Sequence, residues 1–287
     1  MKDLQTVWIV GADGRVGQEI KKILDAKEIE VLTTDIDDVN ITNSEDVTTY
    51  ALMNHPHYII NCAGFTDIVK CEEDIEMAFK INALGARNLS TAARKIKARL
   101  VHLSTDDVFG GDSKVPYNEF DNVNPRTVYG RSKLAGENFV KELASKHIII
   151  RSSWIFGNGD DYLSRILDMA KKGEQIKAAI DQIASPTSAK ELAKMVVYLM
   201  NYGEDGLYHV TCTGSCSRYE YAQEILRLAG SKVKLTPVTA KEDLLTAMRP
   251  SYSVLDNLML RMSDIKGLPD WKSSLESYMK ENNLINL

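Results

Sequence analysis

Val7-Trp8-Ile9-Val10-Gly11-Ala12-Asp13-Gly14-Arg15-Val16-Gly17 is the stretch that decides the fold of this chain of 287 residues. Four apolar residues predict a buried strand, three glycines predict a tight turn, and the apolar spacing from Val16 onward predicts an amphipathic helix. In this order, glycines let the backbone approach a pyrophosphate, and the helix N-terminus offers N–H groups to its phosphates. The stretch therefore predicts a dinucleotide site, with a ligand-free βα turn as the alternative.

A second predicted strand, residues 30–34, ends at Asp35, eighteen residues after Gly17. An acid at this distance accepts hydrogen bonds from the adenosine ribose and favours NAD(H) over the 2′-phosphorylated cofactor. Asp37 and Asp38 compete for this role, and all three also fit a solvated turn.

Further strands are predicted at residues 57–61 and 100–103. The second of these leads into Ser104, Thr105 and Asp106. In an open parallel sheet, ligands lie beyond the carboxyl ends of the strands, so we expect these residues at the same edge as the glycine turn. Alternating strands and helices over residues 1–150 predict a Rossmann-type, doubly wound parallel sheet that binds the dinucleotide. In residues 151–287 strands and helices no longer alternate regularly, which predicts a smaller α/β lobe that holds most of the substrate site. The boundaries between the two domains are approximate, and the domains can interleave along the chain.

Tyr129 and Lys133 lie in a predicted helix at a spacing that places both on one face, one turn apart. A phenol has a reference pKa of about 10, and a nearby cation favours its ionised form. This pair therefore suits general acid chemistry on a carbonyl group.

Composition excludes several other classes of protein. Hydrophobic residues make up 44% of the chain and charged residues 26%, with a formal net charge of −5, which is ordinary for a globular protein. Neither sign of charge forms a block, which argues against a nucleic-acid or anionic-membrane partner. No apolar run approaches the roughly eighteen residues of a membrane span. We expect a cytoplasmic protein whose four cysteines are reduced thiols.

With these residues in view, the chain resembles the extended short-chain dehydrogenase/reductases and, within them, the dTDP-4-dehydrorhamnose reductase family. The superfamily signatures are the G-x-x-G-x-x-G turn and Y-x-x-x-K. The local signatures of the family follow in order along nearly the whole chain, at residues 39–42, 61–66, 104–109, 128–137 (VYGRSKLAGE), 151–157 (RSSWIFG), 181–187 (DQIASPT), 206–211, 249–255 and 269–271.

The resemblance implies the reduction of the C4 ketone of dTDP-4-dehydro-6-deoxy-L-hexulose to dTDP-L-rhamnose by NADPH or NADH. Tyr129 would protonate the C4 oxygen, Lys133 would hold the nicotinamide ribose and favour the phenolate, and Thr105 would orient the carbonyl. Other cofactor positions of the family fall on Gly11, Gly14, Arg15, Val16, Gly17, Asp35, Asn40, Ile41, Gly64, Phe65 and Thr66. Substrate positions fall on Ile68, Thr105, Asp106 and Trp154, and Arg249 could meet the diphosphate or pair within its own lobe.

The chain departs from the family pattern at Val69, Asp107 and Asn40, all of which lie near the expected cofactor or sugar site, so the exact nucleotide sugar stays open. Some relatives bind Mg²⁺ between subunits through acidic residues, and Glu19 matches one such position. A single carboxylate leaves open whether Mg²⁺ binds here as a further cofactor. The chain is expected to be a monomer or a homodimer. Two alternatives are a reductase or epimerase of another nucleotide sugar, and a regulatory subunit resembling methionine adenosyltransferase subunit beta.

Overall fold

The computed structural model of the chain describes residues 5–26, 29–242 and 249–285. Their helices and strands, in chain order, are β1 (Thr6–Val10), α1 (Arg15–Asp25), β2 (Glu30–Thr34), α2 (Ser44–Asn54), β3 (Tyr58–Asn61), α3 (Ile68–Glu73), α4 (Ile75–Phe79), a π-helical segment (Lys80–Gly85), α5 (Ala86–Ile96), β4 (Arg99–Thr105), a 3-10 turn (Asp106–Val108), α6 (Val128–Leu143), β5 (His147–Ser152), β6 (Ile155–Phe156), α7 (Tyr162–Lys171), β7 (Ile176–Ala179), β8 (Ile183–Ala184), β9 (Thr187–Ser188), α8 (Ala189–Tyr202), β10 (Gly206–His209), β11 (Cys216–Ser217), α9 (Arg218–Ala229), β12 (Leu235–Val238), α10 (Leu258–Met262) and α11 (Trp271–Glu281).

The chain forms two compact units that alternate along the sequence. The first unit contains the residues up to Val108, Asn124–Arg151 and Ala193–Tyr208. The second unit contains Phe109–Val123, Ser152–Leu192 and the residues from His209 onward.

A six-stranded parallel sheet, in the order β10-β5-β4-β3-β1-β2, forms the centre of the first unit. The pairs β1–β2, β1–β3 and β3–β4 show that the strand order reverses direction at β1. At such a reversal the loops after the two adjoining strands, here β1 and β3, diverge to opposite faces and leave a crevice for a ligand. The prediction of a doubly wound parallel sheet is confirmed.

Apolar side chains from neighbouring strands form the core beneath this crevice. Trp8, Ile59 and Leu100 occupy one register row across β1, β3 and β4. All three are fully buried and share a hydrophobic cluster with Leu89 of α5. The indole N–H of Trp8 donates to Thr34 Oγ1 at 2.8 Å, so its one polar group is satisfied.

The helix after β3 differs from the sequence prediction. Its apolar residues Ile75, Ala78, Phe79, Ala83 and Leu89 predict one stripe along one long helix. In the structure Ile75 is exposed, and the helix widens to π geometry at Lys80–Gly85. A π segment adds one residue to a turn, which shifts the faces before and after it relative to each other. Ala78, which precedes the π segment, is fully buried like Ala83 and Leu89, so the stripe fails at Ile75, the first residue of α4.

The second unit combines helices with short strand pairs. Strands β6–β9 and β7–β12 pair in parallel, and β8–β11 pair antiparallel. All four cysteines are free thiols, as expected. Across the described ranges, no helix combines the length and apolar character that crossing a bilayer requires.

Candidate active site

The glycine turn after β1 lies directly against the loop that follows β3. Gly11 has a φ of +74°, and a Cβ atom added to it would lie 2.6 Å from the backbone nitrogen of Ala63. A Cβ on Gly17 would lie 2.5 Å from the carbonyl oxygen of Gly11. Only glycine fits at these two positions, so the turn stays close to the backbone at the switch point of the sheet.

Helix α1 begins at this turn with an N-terminus that no side chain caps, because its N-cap residue is Gly14. Asp35, immediately after β2, accepts hydrogen bonds from the backbone N–H groups of Asp13 at 3.2 Å and Ile36 at 2.8 Å. A bare helix N-terminus suits a pyrophosphate, and a carboxylate at the end of the second strand suits a ribose hydroxyl. The residues present therefore fit a dinucleotide.

The remaining cofactor positions of the sequence prediction differ in exposure. Gly64 and Thr66 are exposed, Arg15 and Phe65 are partly buried, and Val16 is buried. Asn40 is exposed and bonds to Thr42, whereas the Ile41 side chain belongs to the buried core cluster. The Ile41 carbonyl oxygen accepts from the side-chain amide of Asn88 at 2.9 Å.

Lys133 of α6 extends to the end of β4. Its ammonium group donates to the carbonyl oxygen of Leu103 at 2.6 Å, and its Nζ would lie 3.9 Å from a Cβ on Gly64. Burial lowers the pKa of Lys133 to about 8, and the carboxylate of Glu137, one turn further on, opposes this shift. Burial also raises the pKa of the nearby Cys62 thiol to about 12, which keeps that group neutral.

The N-terminus of α6, which carries Tyr129, contacts the turn that follows β4. Thr127 caps this helix by accepting from the N–H of Gly130 at 3.0 Å. A Cβ on Gly130 would lie 2.2 Å from the carbonyl oxygen of Asp107, so the two backbones meet at a position that only glycine allows. In that turn Thr105 Oγ1 donates to Asp106 and accepts from the N–H of Asp107, both at 3.2 Å.

The ring of Tyr129 is mostly buried in a small cluster with Ile68 of α3, and the partly buried Phe65 packs against the same cluster. The first unit thus brings together Tyr129, Lys133, Thr105 and Ile68 beside the crevice. A proton donor, a cation and a second hydroxyl therefore lie at one edge of the sheet.

A buried ion pair fixes α6 to the strands behind this edge. Glu137 accepts from Arg151 Nε at 2.8 Å, from an Arg151 terminal nitrogen at 2.7 Å and from the Ser104 hydroxyl at 2.6 Å. Glu137 is fully buried and Arg151 is 2% exposed. These contacts hold the pKa of Glu137 at about 2 despite its burial.

The other two predicted substrate positions, Trp154 and Arg249, lie in the second unit. Trp154 is buried and has a φ of +40°, which is unusual for a bulky residue. Arg249 is partly buried, and its backbone carbonyl accepts from the side-chain amide of Gln182 at 3.3 Å.

Metal binding gains no support from the described residues, which contain no group of three or more His, Cys, Asp or Glu that could hold an ion. Glu19, the position suggested for Mg²⁺, pairs with Lys22 at 2.6 Å.

Comparison with known proteins agrees with this geometry. The family profile described as "RmlD substrate binding domain" matches residues 5–284. The crystal structure of a dTDP-4-dehydrorhamnose reductase from Clostridium acetobutylicum is similar at 42% identity and a TM-score of 0.95, covering 97% of this chain and 100% of that one. The chain belongs to the dTDP-4-dehydrorhamnose reductase family.

Two further relatives of this reductase family show its range. A Bacillus anthracis dTDP-4-dehydrorhamnose reductase, solved in complex with NADP, is 38% identical with a TM-score of 0.94 and covers 97% of this chain and 99% of that one. The spore coat polysaccharide biosynthesis protein SpsK of Bacillus subtilis is 33% identical, covering 96% of this chain and 97% of that protein.

Sequence reasoning missed two polar residues that shape the site of this reductase-family chain. Asn82, in the π segment, bonds to both the N–H and the carbonyl of Phe65 and donates to the Ser132 hydroxyl at 2.9 Å. Glu137 is the second. Its place four residues after Lys133, inside the VYGRSKLAGE match, was a usable signal, whereas Asn82 has no signal in its local sequence.

Proposed function

We propose that this protein reduces the C4 ketone of a dTDP-linked 4-dehydro-6-deoxy-L-hexulose to dTDP-L-rhamnose. Residues up to about 150 bind the cofactor, and most of residues 151–287 serve the nucleotide sugar. Family membership supports a reductase of dTDP-sugars, and the residues at the edge of the sheet supply the groups that this chemistry needs.

Tyr129 is the general acid, and its hydroxyl gives a proton to the C4 oxygen as negative charge develops there. With substrate bound, the Thr105 hydroxyl turns its proton from Asp106 to the same oxygen and stabilises that charge. Lys133, fixed by its bond to the Leu103 carbonyl, favours the phenolate that Tyr129 leaves behind.

When bound, the nicotinamide cofactor supplies the hydride for C4. The glycine turn and the N-terminus of α1 would hold its pyrophosphate, Asp35 its adenosine ribose, and Lys133 its nicotinamide ribose. Asp35 favours NADH, because a carboxylate repels a 2′-phosphate. The complex of the Bacillus anthracis relative with NADP supports NADPH, and activity with each of the two cofactors decides between them.

On the substrate side, Ile68 and Asp106 contact the sugar, and Trp154 offers a flat apolar wall to the face of a 6-deoxy ring. Arg249 is assigned to the diphosphate, where a guanidinium can make paired hydrogen bonds.

One observation carries the proposal: Lys133 is anchored at the end of β4, one helical turn from Tyr129, on a helix whose N-terminus abuts the Thr105–Asp107 turn. The hydrogen bond of this buried ammonium group goes to a backbone carbonyl of β4, which holds the group near the carboxyl end of that strand.

The experiment compares Tyr129→Phe with the parent protein, following oxidation of NADPH or NADH with dTDP-4-dehydro-6-deoxy-L-hexulose as substrate. We expect kcat to fall by about 100- to 10,000-fold, the usual contribution of general acid catalysis. Tyr202→Phe is the matched control. It also removes a phenol hydroxyl from the first unit, but Tyr202 is 76% exposed.

A Tyr129→Phe variant that turns over as fast as the parent refutes the mechanism. Loss of the keto sugar without stoichiometric oxidation of the cofactor points instead to an epimerase, which regenerates its cofactor. Thermal shifts with NADPH, NADH and dTDP-sugars, measured side by side, identify the preferred ligands through the stability that binding adds.

A further inference from the structure

Trp154 is held in a backbone conformation that its sequence does not favour. Its φ of +40° lies in the left-handed region, which a bulky side chain rarely adopts unless its surroundings impose it. One restraint is on the backbone, where the Trp154 carbonyl accepts from the N–H of Thr187 at 3.2 Å. The ring needs a separate restraint, because a backbone hydrogen bond leaves the side-chain torsions undetermined.

Arg218, the first residue of α9, supplies that second restraint. Its guanidinium carbon lies 3.4 Å from the centre of the Trp154 ring and 4.6 Å from the centre of the Tyr162 ring. Arg218 is itself 4% exposed. A planar guanidinium stacks on aromatic faces, which an ammonium group cannot do in the same way.

The aromatic rings behind Arg218 are fixed in turn. Tyr162 stacks on Tyr221 with ring centres 5.8 Å apart, and Tyr221 is fully buried. The guanidinium therefore lies between the Trp154 ring and the partly buried Tyr162 ring, and Tyr221 is also a direct neighbour of Trp154, with ring centres 6.4 Å apart.

We infer that Arg218 is a positioning residue for the nucleotide sugar, and that it acts by holding the Trp154 ring in the orientation in which that ring meets the sugar. This inference rests on the proposed function, which assigns Trp154 to the sugar. Arg218, Trp154 and Tyr162 all belong to the second unit, whereas Tyr129 and Lys133 belong to the first. Arg218 therefore affects affinity for the nucleotide sugar and leaves the proton donor and the cofactor site unchanged.

The local backbone allows Arg218 to be replaced without disturbing α9. Ser217 and Glu220 form a reciprocal cap at the start of this helix. The backbone N–H of Arg218 donates to the Gln182 carbonyl at 3.1 Å, and none of these bonds uses the Arg218 side chain. Arg218→Met keeps an extended apolar side chain while removing the planar cation.

The first readout is physical and needs no turnover. Acrylamide quenching of tryptophan fluorescence is measured for the parent, Arg218→Met, Trp154→Phe and the double variant. We expect Arg218→Met to increase quenching, and we expect that increase to disappear in the Trp154→Phe background, which assigns it to this ring. Arg227→Met is the matched control, because Arg227 lies on the same helix but is exposed and pairs with Glu224.

The second readout is binding of dTDP-L-rhamnose by calorimetry together with steady-state kinetics. Arg218→Met should weaken dTDP-sugar binding by about tenfold, in line with the loss of one desolvated cation–π contact. The KM for the keto sugar should rise by a similar factor, while kcat and the Kd for NADPH stay close to the parent values. Arg218→Lys keeps the positive charge but lacks the planar guanidinium, so its dTDP-sugar affinity should lie between those of Arg218→Met and the parent.

Unchanged quenching in Arg218→Met overturns the inference, because the ring is then held by other groups. Increased quenching with unchanged dTDP-sugar binding also overturns it. If Arg218→Met does not fold, the Arg218→Lys variant gives the same two tests. If the parent protein binds no dTDP-sugar, the proposed function fails and the inference fails with it. If the parent binds dTDP-sugar normally and only the Arg218 results disagree, the inference fails alone.

Discussion

Replacing Glu137 by Gln tests whether the buried ion pair between α6 and β5 stabilises the fold. The carboxylate accepts three hydrogen bonds, two from Arg151 and one from Ser104. A glutamine keeps the shape of the side chain but turns an amide N–H₂ group toward the guanidinium. Arg151, only 2% exposed, would then lose its ion pair with the Glu137 carboxylate.

Two independent routes give the expected size of the effect. Removing one member of a buried pair typically costs about 3–5 kcal/mol, because the other charge remains buried. The pKa of Glu137 falls from 4.5 to about 2 in the folded protein, and this difference corresponds to about 3 kcal/mol in favour of the ionised form. We therefore expect the free energy of unfolding to fall by about 3–5 kcal/mol at neutral pH.

The assay is equilibrium unfolding in urea, with thermal unfolding as a second measure. A loss of this size lowers Tm by roughly 6–20 °C for a protein of this length. Glu224→Gln is the control, since Glu224 also accepts from Nε and a terminal nitrogen of an arginine, but Arg227 is mostly solvent-exposed. Its urea midpoint should hardly change, because exposed pairs contribute little.

The pH dependence provides an internal check. The stability that Glu137 contributes is fully present above pH 4.5 and is lost as pH falls through about 2, because the folded pKa lies below the unfolded one. The difference between parent and Glu137→Gln should therefore shrink over that range. A variant that unfolds within about 1 kcal/mol of the parent at neutral pH would refute the view that this pair stabilises the fold.

Two further predictions concern the cofactor edge. Raising the pH through about 8 should lower kcat/KM, because the buried Lys133 loses its proton there and a neutral amine no longer stabilises the Tyr129 phenolate. A kcat/KM that stays constant between about pH 7 and 9 contradicts this prediction. Gly11→Ala should abolish the thermal shift produced by NADPH, because its Cβ would lie 2.6 Å from the Ala63 nitrogen. Gly173→Ala is the control, because Gly173 has a similar positive φ with open space around it. It should lower the free energy of unfolding by only about 1–2 kcal/mol and leave the NADPH thermal shift intact. Equal loss of the NADPH shift in both variants would show that backbone strain alone is responsible.

Local pattern was sufficient for the elements that carry the expected catalytic groups. Apolar residues at strand spacing followed by glycines predicted β1 and the turn, and the four-residue step placed Tyr129 and Lys133 on one helix face. These features depend on neighbours within a few positions, so periodicity and steric limits can reveal them.

The π segment is a feature that local sequence patterns did not predict. Its extra residue changes which backbone groups pair, and neither Ile75 nor Asn82 signals that change in its side chain. Asn82 gains its role because the fold places Phe65 and Ser132 beside it, 17 and 50 positions away along the chain.

The sequence by itself determined the class of fold, the family and the residue types available for proton transfer, since each depends on short-range spacing or on ordered motifs. Only the tertiary structure decided that Glu137 pairs with Arg151 and that Arg218 stacks on Trp154. Those partners lie on different elements and meet only after strands and helices have packed. Their energies depend on the burial that packing creates, because a charge gains or loses several kcal/mol according to how much water surrounds it.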